Sequence, residues 1–256
     1  MKPVGIVAAL AAEARTLGPA GRHGPELGQL ADGALLATSG IGRVAAAAAA
    51  RRLVLAGAGA LASFGMAGGL DPTLICGTVL LPEEVVASDR AMSGVVVSPT
   101  SGAWRERLRA AMPAACIVCG GRLLTSDRPI GEPGDKAAAW REQGAAAVDM
   151  ESAAIAQVAS QAGLPFVVLR VIADTAADEV PAAVIAASGG GRLRIGRLLA
   201  GLLGSPADWA VLVRLSARYR IAKGVLAAVA AGGSPARGAL VGGPDGADAS
   251  APEAGS

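Results

Sequence analysis

The stretch AAAVDMESAAIAQVASQAGLPFVVLRVIAD, residues 145–174, decides the fold class. Its first four residues, 145–148, are a short apolar run of strand type, and 151–161 carry a helical pattern closed by Gly163. Residues 165–173 then run apolar on both faces except for Arg170, as a strand buried on both sides does. Strand, helix and strand in this order predict a βαβ crossover and hence parallel strands. Ligands of such sheets gather beyond the carboxyl ends of the strands, where Asp149, Glu151 and Asp174 stand.

Working outward, the same alternation continues in both directions. Residues 4–8 predict a first strand, with Glu13 at the matching position after it, and 34–38 a second. The loop Ser39-Gly40-Ile41-Gly42 then leads into an Ala-rich helix over 43–55. Residues 61–64 predict a strand, followed by a glycine turn over 65–69 and the Asp71-Pro72 break. Extended segments at 77–86 and 116–124 and helices at 104–112 and 137–143 complete the pattern. The expectation is an α/β domain over 1–190, a mixed, largely parallel sheet flanked by helices, with four carboxylates converging on one sheet edge.

Composition sets the outer limits. The chain has 256 residues, 52% of them apolar but only 2% aromatic, so the core must be built from Ala, Val and Leu. A net charge of +2 provides no field to attract nucleic acid, so no nucleic-acid partner is expected. Cys116 and Cys119 have CxxC spacing without a second pair, so no metal is assigned, and three cysteines suit a reducing cytoplasm. The apolar start after Met1-Lys2 fits a first strand better than a signal peptide, and the uncharged run 53–70 is broken by glycines.

Beyond residue 190 the character changes. Arg192, Arg194, Arg197, Arg214, Arg218, Arg220 and Lys223 face a single acid, Asp208. Leu212, Leu215, Tyr219, Ala222, Leu226 and Val229 recur at helical spacing, which predicts a basic amphipathic extension over 191–231. Two readings compete for it: helices packed on the domain, or a surface that docks on anionic lipid through 192–229, peripheral to the inner membrane face. From 232 to 256 the Gly, Pro, Ser and Ala content predicts a disordered tail.

Gly40-Ile41-Gly42-Arg43-Val44-Ala45 matches a loose dinucleotide fingerprint, but no acid follows at the end of the next strand, which removes the nicotinamide reading. The underlying physics survives, since glycine N–H groups at a helix N-terminus and the Arg43 fork suit a phosphate. Gly40, Gly42 and Arg43 are therefore candidate phosphate-binding residues, with inorganic phosphate a candidate co-substrate and no organic cofactor.

Five blocks carry a resemblance: Gly5–Glu13, Ser39–Arg43, Gly65–Gly69, Val148–Ser152 and Arg170–Asp174. In this order and at these intervals the chain resembles the nucleoside phosphorylase and nucleosidase superfamily over residues 1–180. Among its members, Phe64–Pro72, Thr125–Pro129, Val148–Ser152 and the basic C-terminal helices look most like the hopanoid-associated phosphorylases, which act on adenosylhopane. The adenine-releasing methylthioadenosine and adenosylhomocysteine nucleosidases are the alternative, and a non-catalytic nucleoside-binding module is a third.

The resemblance implies the superfamily's fold, a nucleoside substrate that is lipid-linked in the hopanoid case, and a homo-oligomer of at least two chains. It makes Asp174 the acid that protonates the departing purine and Glu13 the carboxylate that orients water. Glu151 would hold the ribose hydroxyls, Met150 would wall the ribose, and Ile130 would contact the purine through its backbone. Met66, Ala67 and Gly68 would line the same pocket. Three departures stand out: Pro129 where the nucleosidases have an aromatic, Met66 in place of a small hydroxyl residue, and Ala173 in place of a serine. The chemistry agrees with these roles, because breaking a ribosyl C–N bond needs a proton at the base and negative charge near the sugar.

Overall fold

The computed structural model describes residues 2–23, 26–89, 94–180 and 206–244. Strand β1 (Val4–Ala8) is buried along its whole length and leads into the single-turn helix α1 (Ala11–Ala14). The edge is built by β2 (Ala20–Arg22), β3 (Leu27–Leu30) and β4 (Leu35–Thr38), and α2 (Arg43–Leu55) follows. Next come β5 (Ala60–Gly69), β6 (Val79–Leu80), β7 (Glu84–Asp89), β8 (Gly94–Pro99), α3 (Gly102–Ala111), β9 (Val118–Cys119), β10 (Arg122–Thr125) and α4 (Pro133–Gln143). The decisive stretch gives β11 (Ala145–Asp149), α5 (Ser152–Gln161) and β12 (Phe166–Asp174), and α6 (Pro206–Ala230) and α7 (Pro235–Val241) close the described chain.

Among the described residues the strands form one sheet, its main path running β2-β3-β4-β1-β5-β11-β10-β7-β8. β4, β1, β5 and β12 run parallel, as do β7, β10 and β11, and antiparallel pairs sit at β2-β3-β4, β7–β8 and β5–β11. The mixed, largely parallel sheet expected from the pattern is therefore present. One face is covered by α2 and α5, whose Ala46, Ala49, Ala50 and Leu53 meet Ile155, Val158 and Ala159 in one apolar cluster. Small alanines let helix and sheet approach closely, which suits a core poor in aromatics.

The crossover differs from expectation. β11 and β12 are not neighbours, because β5 lies between them, parallel to β12 and antiparallel to β11 through Gly68 and Gly69. The glycine stretch expected to turn is also not a turn: β5 runs on through Gly69. Its glycines serve close approach, since a Cβ on Gly65 would lie 2.6 Å from both Glu13 Oε1 and Arg170 Nη1. The expected strands 77–86 and 116–124 each break in two, and their first halves, β6 and β9, pair with each other at the far side of β12.

The C-terminal expectations also change. Ala222, Leu226 and Val229 of α6 are buried in the same cluster as Ile6, Phe64, Leu169 and Val171, so this part of the apolar face offered to lipid is engaged in the core. Among the described residues no single helix is long and apolar enough to cross a membrane, and the bent pair α6–α7 that passes on length and composition buries its apolar side here. Residues 192–205 of the basic stretch lie outside the described residues. The expected disordered tail is corrected in part: Ser234 caps α7 by accepting the Arg237 N–H, and Ala236 and Leu240 are buried. Buried Arg237 pairs with Asp32 at 2.6 Å, and the Trp104 indole donates to the Ala239 carbonyl at 2.9 Å. Polar and charged side chains thus anchor a helix whose composition alone carries no strong pattern.

Candidate active site

The carboxyl ends of β1, β5, β11 and β12 open onto one cavity of about 280 Å³. Glu13, Asp149, Glu151 and Asp174 all line it, so the four carboxylates placed at strand ends by the sequence do converge. Met66, Ala67, Gly68, Ile130 and Met150 line it as well. Gly40, Gly42 and Arg43 do not, although Ile41 between them does.

Glu13 follows β1 by one helical turn and folds back on it. Its Oε2 accepts the Leu10 N–H and its Oε1 the Met66 N–H, both at 2.9 Å, which ties the β1 loop to β5. Burial at 3% exposure pushes its carboxyl above the usual range, while the Arg170 guanidinium and those two N–H donors pull the other way.

Arg170 is the charged centre of the site and lies buried inside β12. It donates to Asp149 at 2.6 Å, to Ser63 at 2.9 Å and to Ser152 at 3.2 Å, and stands 3.9 Å from Glu151. Asp149 in turn accepts the Thr125 hydroxyl at 2.7 Å and the Ser152 hydroxyl. A lone cation inside an apolar strand is unaffordable without such partners. Glu13, Asp149 and Glu151 thus gather three carboxyl groups around one guanidinium at the cavity wall, where Arg128 is a second cation.

Glu151 is the N-cap residue of α5 and accepts the Gly42 N–H at 2.8 Å. Burial first, and repulsion from Asp149 second, lift its pKa to about 7 against the pull of Arg170. The glycine loop therefore holds an anion, but the anion is a side chain of this protein. Gly40 donates instead to the Ala9 carbonyl at 2.9 Å. Arg43 lies 3.2 Å from both Asp127 and the Thr125 carbonyl and lines a separate cavity beside Arg51 and Gln157.

Asp174 ends β12 at a register slip after Ile172, which turns its carboxyl toward Gly68, where a Cβ would lie 3.2 Å from Oδ2. Burial raises its pKa, and the Lys136 ammonium, paired with it from α4, opposes the rise. Sequence reasoning missed Lys136, because a lysine in the first turn of Pro133-Gly-Asp-Lys136 looks like any solvated helix residue. It also placed Tyr219 only on an apolar helical face, for packing or lipid docking, yet this residue of α6 lines the cavity.

A family model described as the phosphorylase superfamily matches residues 4–203. The 5′-methylthioadenosine/S-adenosylhomocysteine nucleosidase of Shewanella baltica OS155 is 33% identical over 160 residues, covering 56% of this chain and 67% of that protein. The one from Marinomonas sp. MWYL1 is 34% identical over 163 residues, covering 57% and 70%. The solved nucleosidase of the same name from Neisseria meningitidis, in complex with methylthio-immucillin-A, superposes with a TM-score of 0.62 at 26% identity, covering 79% of this chain and 99% of that one. Helicobacter pylori futalosine hydrolase shares the fold at a TM-score of 0.61 and 22% identity, covering 78% and 96%.

Proposed function

The chain belongs to the phosphorylase superfamily and is an N-glycosyl bond cleaving enzyme, and from that premise we propose that it is a nucleosidase releasing adenine from a 5′-substituted adenosine. The first substrates in this reading are 5′-methylthioadenosine and S-adenosylhomocysteine, after which the relatives are named. The observation that carries it is the meeting of Glu13, Glu151 and Asp174 in one cavity around Arg170. In this reading Asp174 protonates the leaving adenine, which is held at the Ile130 side. Glu151 holds the ribose hydroxyls, with Met150 as a wall. Positive charge that develops on the sugar lies against Glu13 and Glu151, whose carboxyl groups favour the transition state over the neutral ground state. Glu13 orients the attacking water.

Water is preferred to phosphate as nucleophile on electrostatic grounds. The N–H of Gly42 is engaged by Glu151, Arg43 faces Asp127, and incoming phosphate would meet Glu13, Asp149 and Glu151. Adenosylhopane is the second reading, favoured by one feature. The helix that lines the cavity through Tyr219 also presents exposed Arg214, Arg220 and Ile221, so the pocket and a cationic surface share one element.

Adenine release from 5′-methylthioadenosine and from adenosylhopane in detergent, each with and without phosphate, tests both. Phosphate-independent release from the thioether nucleoside is expected, with Asp174→Asn slower on the order of 10² to 10⁴-fold. A requirement for phosphate would replace water as the nucleophile, and release from adenosylhopane alone would select the second reading. No release from either substrate would end the catalytic assignment.

A further inference from the structure

The Lys136 side chain is fully buried, yet no step of the proposed reaction uses it. An ammonium carries three N–H donors and no acceptor, and in apolar surroundings each donor needs a partner. Here Nζ donates to the Asp174 carboxylate, to the Thr175 carbonyl at 2.9 Å and to the Asp178 carbonyl at 2.9 Å. All three acceptors belong to one five-residue segment, Asp174–Asp178, and α4 therefore grips that segment at a single point. From the opposite side Arg218 of α6 pairs with the Asp178 carboxylate and donates to the Thr175 hydroxyl at 3.0 Å.

We propose that Lys136 is the positioning residue of the acid, its ammonium fixing the Asp174 carboxyl and the segment behind it against the cavity. The assignment rests on the reading of Asp174 as the proton donor. A carboxyl at a strand end has free torsions at χ1 and χ2, and proton transfer requires it within hydrogen-bond reach of the base. Lys136 engages Oδ2 and leaves Oδ1 free to meet the substrate. The same contact places a positive charge beside the acid. Asp174 is faced by Lys136 from α4, by Asp178 from its own segment, by Arg218 from α6 and by Cys76 from the β5–β6 connection. Lys136 and Arg218 favour the ionised carboxyl, whereas burial and Asp178 favour the protonated one. Removal of Lys136 therefore leaves an acid that keeps its proton to higher pH but is held less well.

The test is the pH profile of kcat/KM for adenine release by the wild-type protein and by Lys136→Met, whose side chain fills a similar volume without charge. The expected result is a fall in kcat/KM of about 10-fold or more, with the alkaline limb moved up by about one pH unit. A lower rate with an unmoved limb would make Lys136 a packing residue only and overturn the assignment, leaving the reading of Asp174 intact. Absence of release by the wild-type protein would overturn both. Should Lys136→Met not fold, lysine-selective NMR puts the same question to the wild-type and Asp174→Asn proteins. A slowly exchanging ammonium resonance that shifts on adding adenine and on Asp174→Asn is expected. A lysine spectrum indifferent to both would overturn the proposal.

Discussion

Glu151 is where charge and stability are coupled most directly. Its pKa of about 7 lies above the ordinary 4.5, so the folded chain binds this proton more tightly than the unfolded chain does. The resulting stabilisation is complete below about 4.5 and is lost as the pH rises through about 7. The unfolding temperature of the empty protein is therefore expected to fall across that window, and Glu151→Gln to flatten the slope, as thermal melts at a series of pH values would reveal. A slope unchanged in Glu151→Gln would assign it to another group, Glu13 being the next candidate because burial raises it too. A cationic sugar in the cavity would return Glu151 to its ionised form, which links substrate charge to the residue that holds the hydroxyls. Lys136 has the opposite history in the sequence. Its three acceptors all lie in one segment, Asp174–Asp178, some 38 to 42 residues further along the chain, and no local pattern in Pro133–Gln143 announces them.

At the scale of the element, β5 shows how composition and geometry diverge. Its glycines resemble a turn, yet they admit side chains from both neighbouring strands to the backbone. Gly65→Ala is expected to displace Glu13 or Arg170 and to lower kcat/KM by about 10²-fold or more, the cost typical of a misplacement near 1 Å. Full activity in that variant would show that neither side chain needs its present position. Elements with a strong local composition are legible in sequence: the apolar β1 and the Ala-rich α2 fall at their expected bounds, and the carboxylates at the ends of β11 and β12 stand where the pattern puts them. The breaks between β6 and β7 and between β9 and β10 were not, because strands of two residues carry no period. Helix α7 was hidden by a Gly- and Pro-rich surrounding, its anchors being single contacts to Asp32 and to Trp104.

For the whole molecule, the main consequence concerns α6. An apolar helical face beside basic residues fits a membrane surface or a core equally well in sequence, and only the position of the sheet decides between them. Leu226 is fully buried, so Leu226→Ala is expected to lower the unfolding free energy by about 2–5 kcal/mol in urea denaturation. A helix resting loosely on the surface would lose only a few tenths. The helix is thus part of the domain rather than an appendage at 191, and it brings Tyr219 and Arg218 to the site as it crosses the sheet.

The anchoring of α7 has a topological consequence. Gly243 lies beside Val4, close enough that a Cβ on the glycine would sit 3.4 Å from a valine methyl group. The first strand and the residues just after the last described helix therefore meet, so a short linker would join them. Contiguity along the chain is then not what holds this architecture together. The chain could be reconnected there and cut between the exposed Ala114 and Ala115, which do not line the cavity, with the same sheet order and the same cavity.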